Sequence, residues 1–207
     1  NVAVVIPHIN RWYFGAVLEG IEASLIAAGY DLTLYRLTDD ADQRQRVFDY
    51  FLLRKLVDAV ISVGIELSSA EVERLRELGK PVVGIGGPIE GVATLSIDDE
   101  DAARHVTEHL VSLGHGRILH IGGHLQDEMD FGAHAQRARG FRAAMDEAKL
   151  PSGPEAIVTT ELNMAGGNAA ALVALADPRS RPTAIVAGSD EVAIGAILAA
   201  RQLGILV

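Results

Sequence analysis

Cysteine is absent from the 207 residues, which removes disulfides, thiolate nucleophiles, zinc–thiolate sites and iron–sulfur clusters from consideration. The same absence fits a reducing compartment. Cations are scarce: 18 Lys+Arg stand against 28 Asp+Glu, a formal net charge of −10, and the pI is about 5.1. Such a surface repels phosphate on average, so these residues do not bind nucleic acid by neutralising its backbone. Long apolar runs are also missing. Nothing approaches the roughly 18–20 uninterrupted apolar residues of a membrane helix. The apolar opening Val2-Ala3-Val4-Val5-Ile6 lacks a basic n-region and ends at Pro7, so it does not read as a signal peptide. No membrane partner is expected. What is present is a composition of 49% hydrophobic and 22% charged residues, that of a folded protein. The length suffices for one large domain or two small lobes, each with its own core.

Apolar, β-branched runs alternate with helical patterns. Strands are predicted over residues 2–6, 31–35, 57–62, 81–85, 94–97, 117–121, 155–159 and 183–187. Helices are predicted over 14–28, 42–53, 68–79, 99–113, 133–149, 165–176 and 191–203. The acidic run Asp39, Asp40 and Asp42 marks one helix start, and Ser68-Ser69-Ala70-Glu71 has capping-box spacing at another. Strands alternating with helices of ten or more residues give parallel βαβ units. The 21 glycines fall mostly where strands and helices exchange. The expected fold is therefore α/β, with doubly wound, mostly parallel sheets flanked by helices and ligands held at the carboxyl ends of the strands. A boundary is expected near Gly86-Gly87-Pro88-Ile89-Glu90-Gly91.

Aromatics are few, ten in all, yet Trp12, Tyr13 and Phe14 are consecutive directly after the first strand. Three adjacent residues cannot all face inward from a helix, so at least one is expected to line a ligand cleft while others pack the core. Arg137 lies early in its helix, where a guanidinium fork clamps a hydroxyl pair, a carboxylate or a phosphate, or simply joins a surface ion pair. Asp98 and Asp190 each end a strand-to-helix junction. A carboxylate there accepts ligand hydroxyls or caps the helix, an interaction worth about 1 kcal/mol. His105 and His109 are one helical turn apart, with no third metal ligand placed by spacing. Gly84-Ile85-Gly86-Gly87-Pro88 lacks the third glycine of a dinucleotide fingerprint, and no Gly-x-Ser-x-Gly elbow occurs. No catalytic role, cofactor or metal is expected.

Together these segments resemble the effector-binding module of LacI/GalR-type transcriptional regulators, whose fold is shared with periplasmic sugar-binding proteins. The resemblance runs through essentially the whole chain. It includes Gly20-Ile21-Glu22, Ala28-Gly29-Tyr30, Val57-Asp58-Ala59-Val60-Ile61, Gly79-Lys80-Pro81-Val82-Val83 and Ile97-Asp98-Asp99. Its most specific stretch is His109-Leu110-Val111-Ser112-Leu113-Gly114-His115-Gly116-Arg117-Ile118, followed by Ile121-Gly122-Gly123. Arg137-Ala138-Arg139-Gly140-Phe141, Pro182-Thr183-Ala184-Ile185 and Ser189-Asp190-Glu191-Val192-Ala193 also match.

The resemblance implies a two-lobed, periplasmic-binding-protein-like fold, with residues 1–98 as one lobe and 99–207 as an incomplete second one. It implies a sugar-like small-molecule effector held between the lobes and controlling DNA binding allosterically in a cytoplasmic homodimer. By resemblance, operator DNA would be met by a helix-turn-helix headpiece upstream, and further strands would follow Val207; the missing initiator Met fits a fragment. By resemblance the ligand contacts fall on Tyr13, Phe14, Asp98, Arg137, Ser189 and Asp190, with Leu162 shaping the pocket. Three positions depart from the family pattern. Asn10-Arg11-Trp12 replaces Ser-Asn-Pro, Gly86-Gly87 replaces an Asp-Arg pair, and Ser189 replaces an Asn. Arg11 and Trp12 thus join the expected contacts, and the effector is expected to differ from the commonest sugars. The rival reading is a periplasmic solute-binding protein of a sugar transporter. An enzyme on the same scaffold is the more distant one.

Overall fold

The computed structural model describes residues 1–38, 40–54, 57–77, 79–124 and 132–207. These fall into two compact units, one formed by Asn1–Ile97 and the other by the described residues of Asp98–Asp127 and Gly132–Val207.

In the first unit the elements run β1 (Val2–Ile6), α1 (Trp12–Ala27), β2 (Leu32–Arg36), α2 (Ala41–Arg54), β3 (Ala59–Val63), α3 (Ser69–Glu77), β4 (Val82–Ile85) and β5 (Ala93–Leu95). The strands form one parallel sheet in the order β2-β1-β3-β4-β5, with Val2 of β1 paired to Leu32 on one side and Ala59 on the other. Every residue of β1 is buried, as a central parallel strand covered on both faces requires. Its pleat divides them. Ala3 and Val5 pack with Leu37, Phe48, Val57, Ile65, Val72 and Leu75, whereas Val4 and Ile6 pack with Phe14 and Val63. The predicted capping box of α3 is formed: Ser68 N donates to Glu71 Oε2 at 2.8 Å and Glu71 N donates to Ser68 Oγ at 3.3 Å. At the start of α2, Asp40 accepts from Gln43 N at 2.7 Å. Asp39, named with it in the acidic run, lies outside the described residues, as does Leu78 near the predicted end of α3.

The second unit runs α4 (Asp99–Ser112), β6 (Ile118–Gly122), α5 (Ala133–Glu147), β7 (Ile157–Thr159), α6 (Met164–Leu175), β8 (Ala184–Ala187) and α7 (Asp190–Gln202). Its parallel sheet has the order β7-β6-β8. All of central β6 is buried. Leu119 and Ile121 face a small-residue layer of Ala171, Ala196, Ala199 and Ala200 on α6 and α7. Ile118 faces Phe141, Met145 and Val186, and His120 stacks on the Phe141 ring with centroids 5.5 Å apart. The crossing of α4 and α5 depends on Gly140, where a Cβ would lie 1.9 Å from the Glu100 carbonyl oxygen. That closeness brings the start of α4 against the first turns of α5.

Most element ends differ from the sequence reading by one or two residues, and three of the differences have local causes. α1 begins at Trp12, two residues earlier than the predicted 14, because Gly15 N already donates to Arg11 O at 3.1 Å. β5 stops at Leu95 instead of reaching 97, since Asp98 is drawn into capping α4. Residues 155–156, predicted as strand, belong to a 3₁₀ turn over Pro154–Ala156, where proline fixes φ and suits a helical first position.

Candidate functional site

At the carboxyl end of β1, Arg11 occupies the N-cap position of α1 in extended conformation, and its side chain makes no cap hydrogen bond. Helical periodicity then separates the three aromatics. Trp12 and Tyr13 are 58% and 52% exposed, whereas Phe14 is 9% exposed and part of the core. Gly64, in the left-handed region at φ 58°, makes room for Phe14: a Cβ there would lie 2.7 Å from the ring. Tyr13 meets Phe14 edge to face at 5.1 Å, and His8 lies 5.9 Å from the same ring. One ring of the aromatic run thus packs the core, and the other two lie at the surface.

In the second unit the carboxyl ends of β6 and β8 gather the remaining residues. Asp98 caps α4, its Oδ1 accepting from Asp101 N at 2.9 Å. Ser189 caps α7, its Oγ accepting from Val192 N at 3.3 Å. For Asp98 this is the capping role the sequence allowed alongside ligand contact, whereas at the second junction Ser189 takes the cap that the sequence had offered to Asp190, because the helix begins at Asp190. Asp190, the first residue of α7, is exposed, and half-buried Leu162 packs against the Ala-rich layer of α6 and α7. Arg137 ties the region together. Its Nε donates to Asp99 Oδ1 at 2.7 Å and its Nη1 to the Gly188 carbonyl at 2.6 Å. Among the described residues these bonds engage two of the five guanidinium N–H groups, leaving three. Arg137 therefore links α4, α5 and the β8–α7 turn with donors still unspent.

Two participants escaped the sequence reading. Asp99 lies beside the singled-out Asp98, but only the packing of α5 buries it, to 5% exposure. His120 is a polar residue in an otherwise apolar strand, a signal visible in Ile118-Leu119-His120-Ile121. It is 1% exposed, with Nδ1 3.1 Å from the Val186 carbonyl. Burial, reinforced by the nearby charge of Arg137 and by His134 and Arg142, lowers its pKa from 6.5 to about 4, although the Val186 bond opposes the shift. His120 is thus a buried imidazole between the Val186 carbonyl and the Phe141 ring, within electrostatic reach of Arg137. His105, one of the helical pair considered for metal, has its Nδ1 2.9 Å from the Asp101 carbonyl within α4. No group of three metal-ligating side chains occurs among the described residues. No described helix is long and apolar enough to cross a membrane.

A family model described as "Periplasmic binding proteins and sugar binding domain of LacI family" matches residues 1–206. Catabolite control protein A of Priestia megaterium is 29% identical over 208 residues, covering 99% of this chain and 61% of its own length. The HTH-type transcriptional regulator DegA of Bacillus subtilis (strain 168) is 30% identical over 211 residues, covering 100% of this chain and 60% of its own. The chain thus spans about three fifths of these relatives. In structure it is similar to the transcription regulator GntR from Chromobacterium violaceum, with a TM-score of 0.86 and 29% identity over 100% of this chain and 74% of that one.

Proposed function

The chain belongs to the family of periplasmic binding proteins and LacI-type sugar-binding domains, and from that membership we propose that it is the effector-sensing part of a DNA-binding transcriptional regulator. The observation that supports a sensing site in these residues is Arg137, held rigidly at the carboxyl edge of β6 and β8 with N–H donors to spare. A planar fork so placed recognises paired hydroxyls. Exposed Trp12 and Tyr13, at the corresponding edge of the first unit's sheet, offer faces for stacking on a sugar or a flat ring.

The proposed effector is a sugar or a related small polar molecule, bound without chemical turnover. Binding biases one of two conformations of a homodimer, and headpieces outside these residues translate that bias into operator affinity. The ligand shifts the equilibrium only by its differential affinity for the two states. The relatives named above favour a regulator over a transporter's solute receptor, because both carry regulatory names. A thermal-shift screen of sugars, sugar phosphates and nucleobases tests the reading. A ligand at 100 times its dissociation constant adds about 2.7 kcal/mol of stability, and a screen in which nothing moves the transition counts against it.

A further inference from the structure

The Asp99–Arg137 pair has a consequence for ligand charge. Asp99 is 5% exposed, and its carboxylate accepts from Arg137 Nε. Arg137 is therefore already paired with a carboxylate before any ligand arrives. Helix N-termini ordinarily attract anions through free N–H groups and a partial positive charge. Here a side chain of the protein already takes one such N–H at each of three helices. Asp98 takes Asp101 N, Asn163 takes Gly166 N and Ser189 takes Val192 N, while Asp99, Glu100 and Asp101 fill the first turn of α4 and Asp190 and Glu191 that of α7. The edge thus presents donors without net positive charge.

We infer that Asp99 is a positioning and specificity-determining residue: it fixes the guanidinium plane of Arg137 and, by cancelling its charge, makes this edge select uncharged polyhydroxyl ligands over their phosphorylated or carboxylated counterparts. The inference rests on the sensing function proposed above and deepens it. Asp99 touches no ligand in this scheme; it acts through Arg137. Gly188 completes the arrangement by holding Nη1, so that loss of the Asp99 charge leaves the guanidinium tethered yet uncompensated.

The test is isothermal titration of the unaltered chain and of Asp99→Asn with ribose and ribose 5-phosphate, glucose and glucose 6-phosphate, and glucose and gluconate. Asparagine keeps an acceptor for Nε and removes the charge. The unaltered chain is expected to prefer the neutral member of any pair it binds. In Asp99→Asn that preference is expected to fall by at least about tenfold, the change that 1.4 kcal/mol of differential interaction produces, chiefly through tighter anion binding. A purely structural role would weaken both members alike, and that outcome overturns the inference. An unaltered chain that prefers the anionic member also overturns it, while leaving the sensing function in place. Absence of binding to every member defeats the sugar-sensing reading and the inference with it. Where Asp99→Asn fails to melt cooperatively, the preference of the unaltered chain decides alone.

Discussion

Arg137 and Asp99, 38 residues apart in sequence, meet through a 2.7 Å Nε–Oδ1 bond in which the carboxylate side chain is only 7% exposed. Removing one partner of a buried pair leaves an uncompensated charge, whereas removing both leaves none. Arg137→Ala is accordingly expected to lower stability by about 2–3 kcal/mol, the guanidinium's partial exposure moderating the loss. The double change Arg137→Met with Asp99→Leu is expected to be less destabilising than Arg137→Ala alone. Urea unfolding of the variants measures both, and a double variant weaker than the single one contradicts the buried-charge explanation.

Gly140→Ala places a methyl group 1.9 Å from the Glu100 carbonyl, so α4 and α5 must separate. Overpacking of this kind costs about 1–3 kcal/mol. Because Asp99 precedes Glu100 and Arg137 lies one turn before Gly140, effector affinity is expected to fall as well. A variant that keeps full stability in denaturant unfolding would show that the two helices do not cross as closely as described.

His120 sets a pH dependence. Its folded-state pKa of about 4 lies below the ordinary 6.5, so between those values the unfolded chain binds a proton that the folded chain refuses. Stability is then unaffected by this residue above about pH 6.5 and declines as pH falls towards about 4, by roughly 3 kcal/mol in total. His120→Phe, which keeps an aromatic ring beside Phe141, is expected to flatten that part of the stability–pH curve. Unfolding free energies at pH 7.0, 5.5 and 4.5 decide it, and parallel curves for the two proteins would contradict the assignment.

The aromatic run separates stability from binding. Phe14→Ala empties a core position and is expected to cost about 3–4 kcal/mol. Trp12→Ala alters an exposed ring and is expected to stay within about 0.5 kcal/mol of the parent, while weakening effector binding. Melting temperatures of both variants, together with titration of Trp12→Ala, measure the split. A Trp12→Ala variant that binds as tightly as the parent removes Trp12 from the site.

Most of the architecture was legible because period-2 and period-3.6 patterns alternate so regularly: each strand and α-helix of the described residues was anticipated, with ends displaced by a few residues, while the 3₁₀ turn over Pro154–Ala156 was not. The displaced ends have local causes, such as Pro154 diverting the chain into a 3₁₀ turn ahead of β7 and the Asp98 cap shortening β5. The site was legible only in part. Arg137 and the capping choice at Asp98 follow from position relative to a strand end, whereas the second cap falls on Ser189, one residue before the Asp190 to which the sequence pointed. The burial of Asp99 does not, because it depends on α5 closing over α4 at Gly140, a contact that adjacent sequence cannot reveal. His120 left a visible trace, a polar residue in an apolar strand, but its proximity to Arg137 arises only in the folded sheet.

The most direct test of the sensing function is titration of the unaltered chain and of Arg137→Ala with the small molecule that most raises the melting temperature in a screen of sugars, sugar phosphates and nucleobases. Saturable binding by the unaltered chain and at least about a hundredfold weaker binding by a folded Arg137→Ala, equivalent to roughly 2.7 kcal/mol, is the result expected. Equal affinity in the two proteins, with the variant cooperatively folded, would contradict the central role given to Arg137.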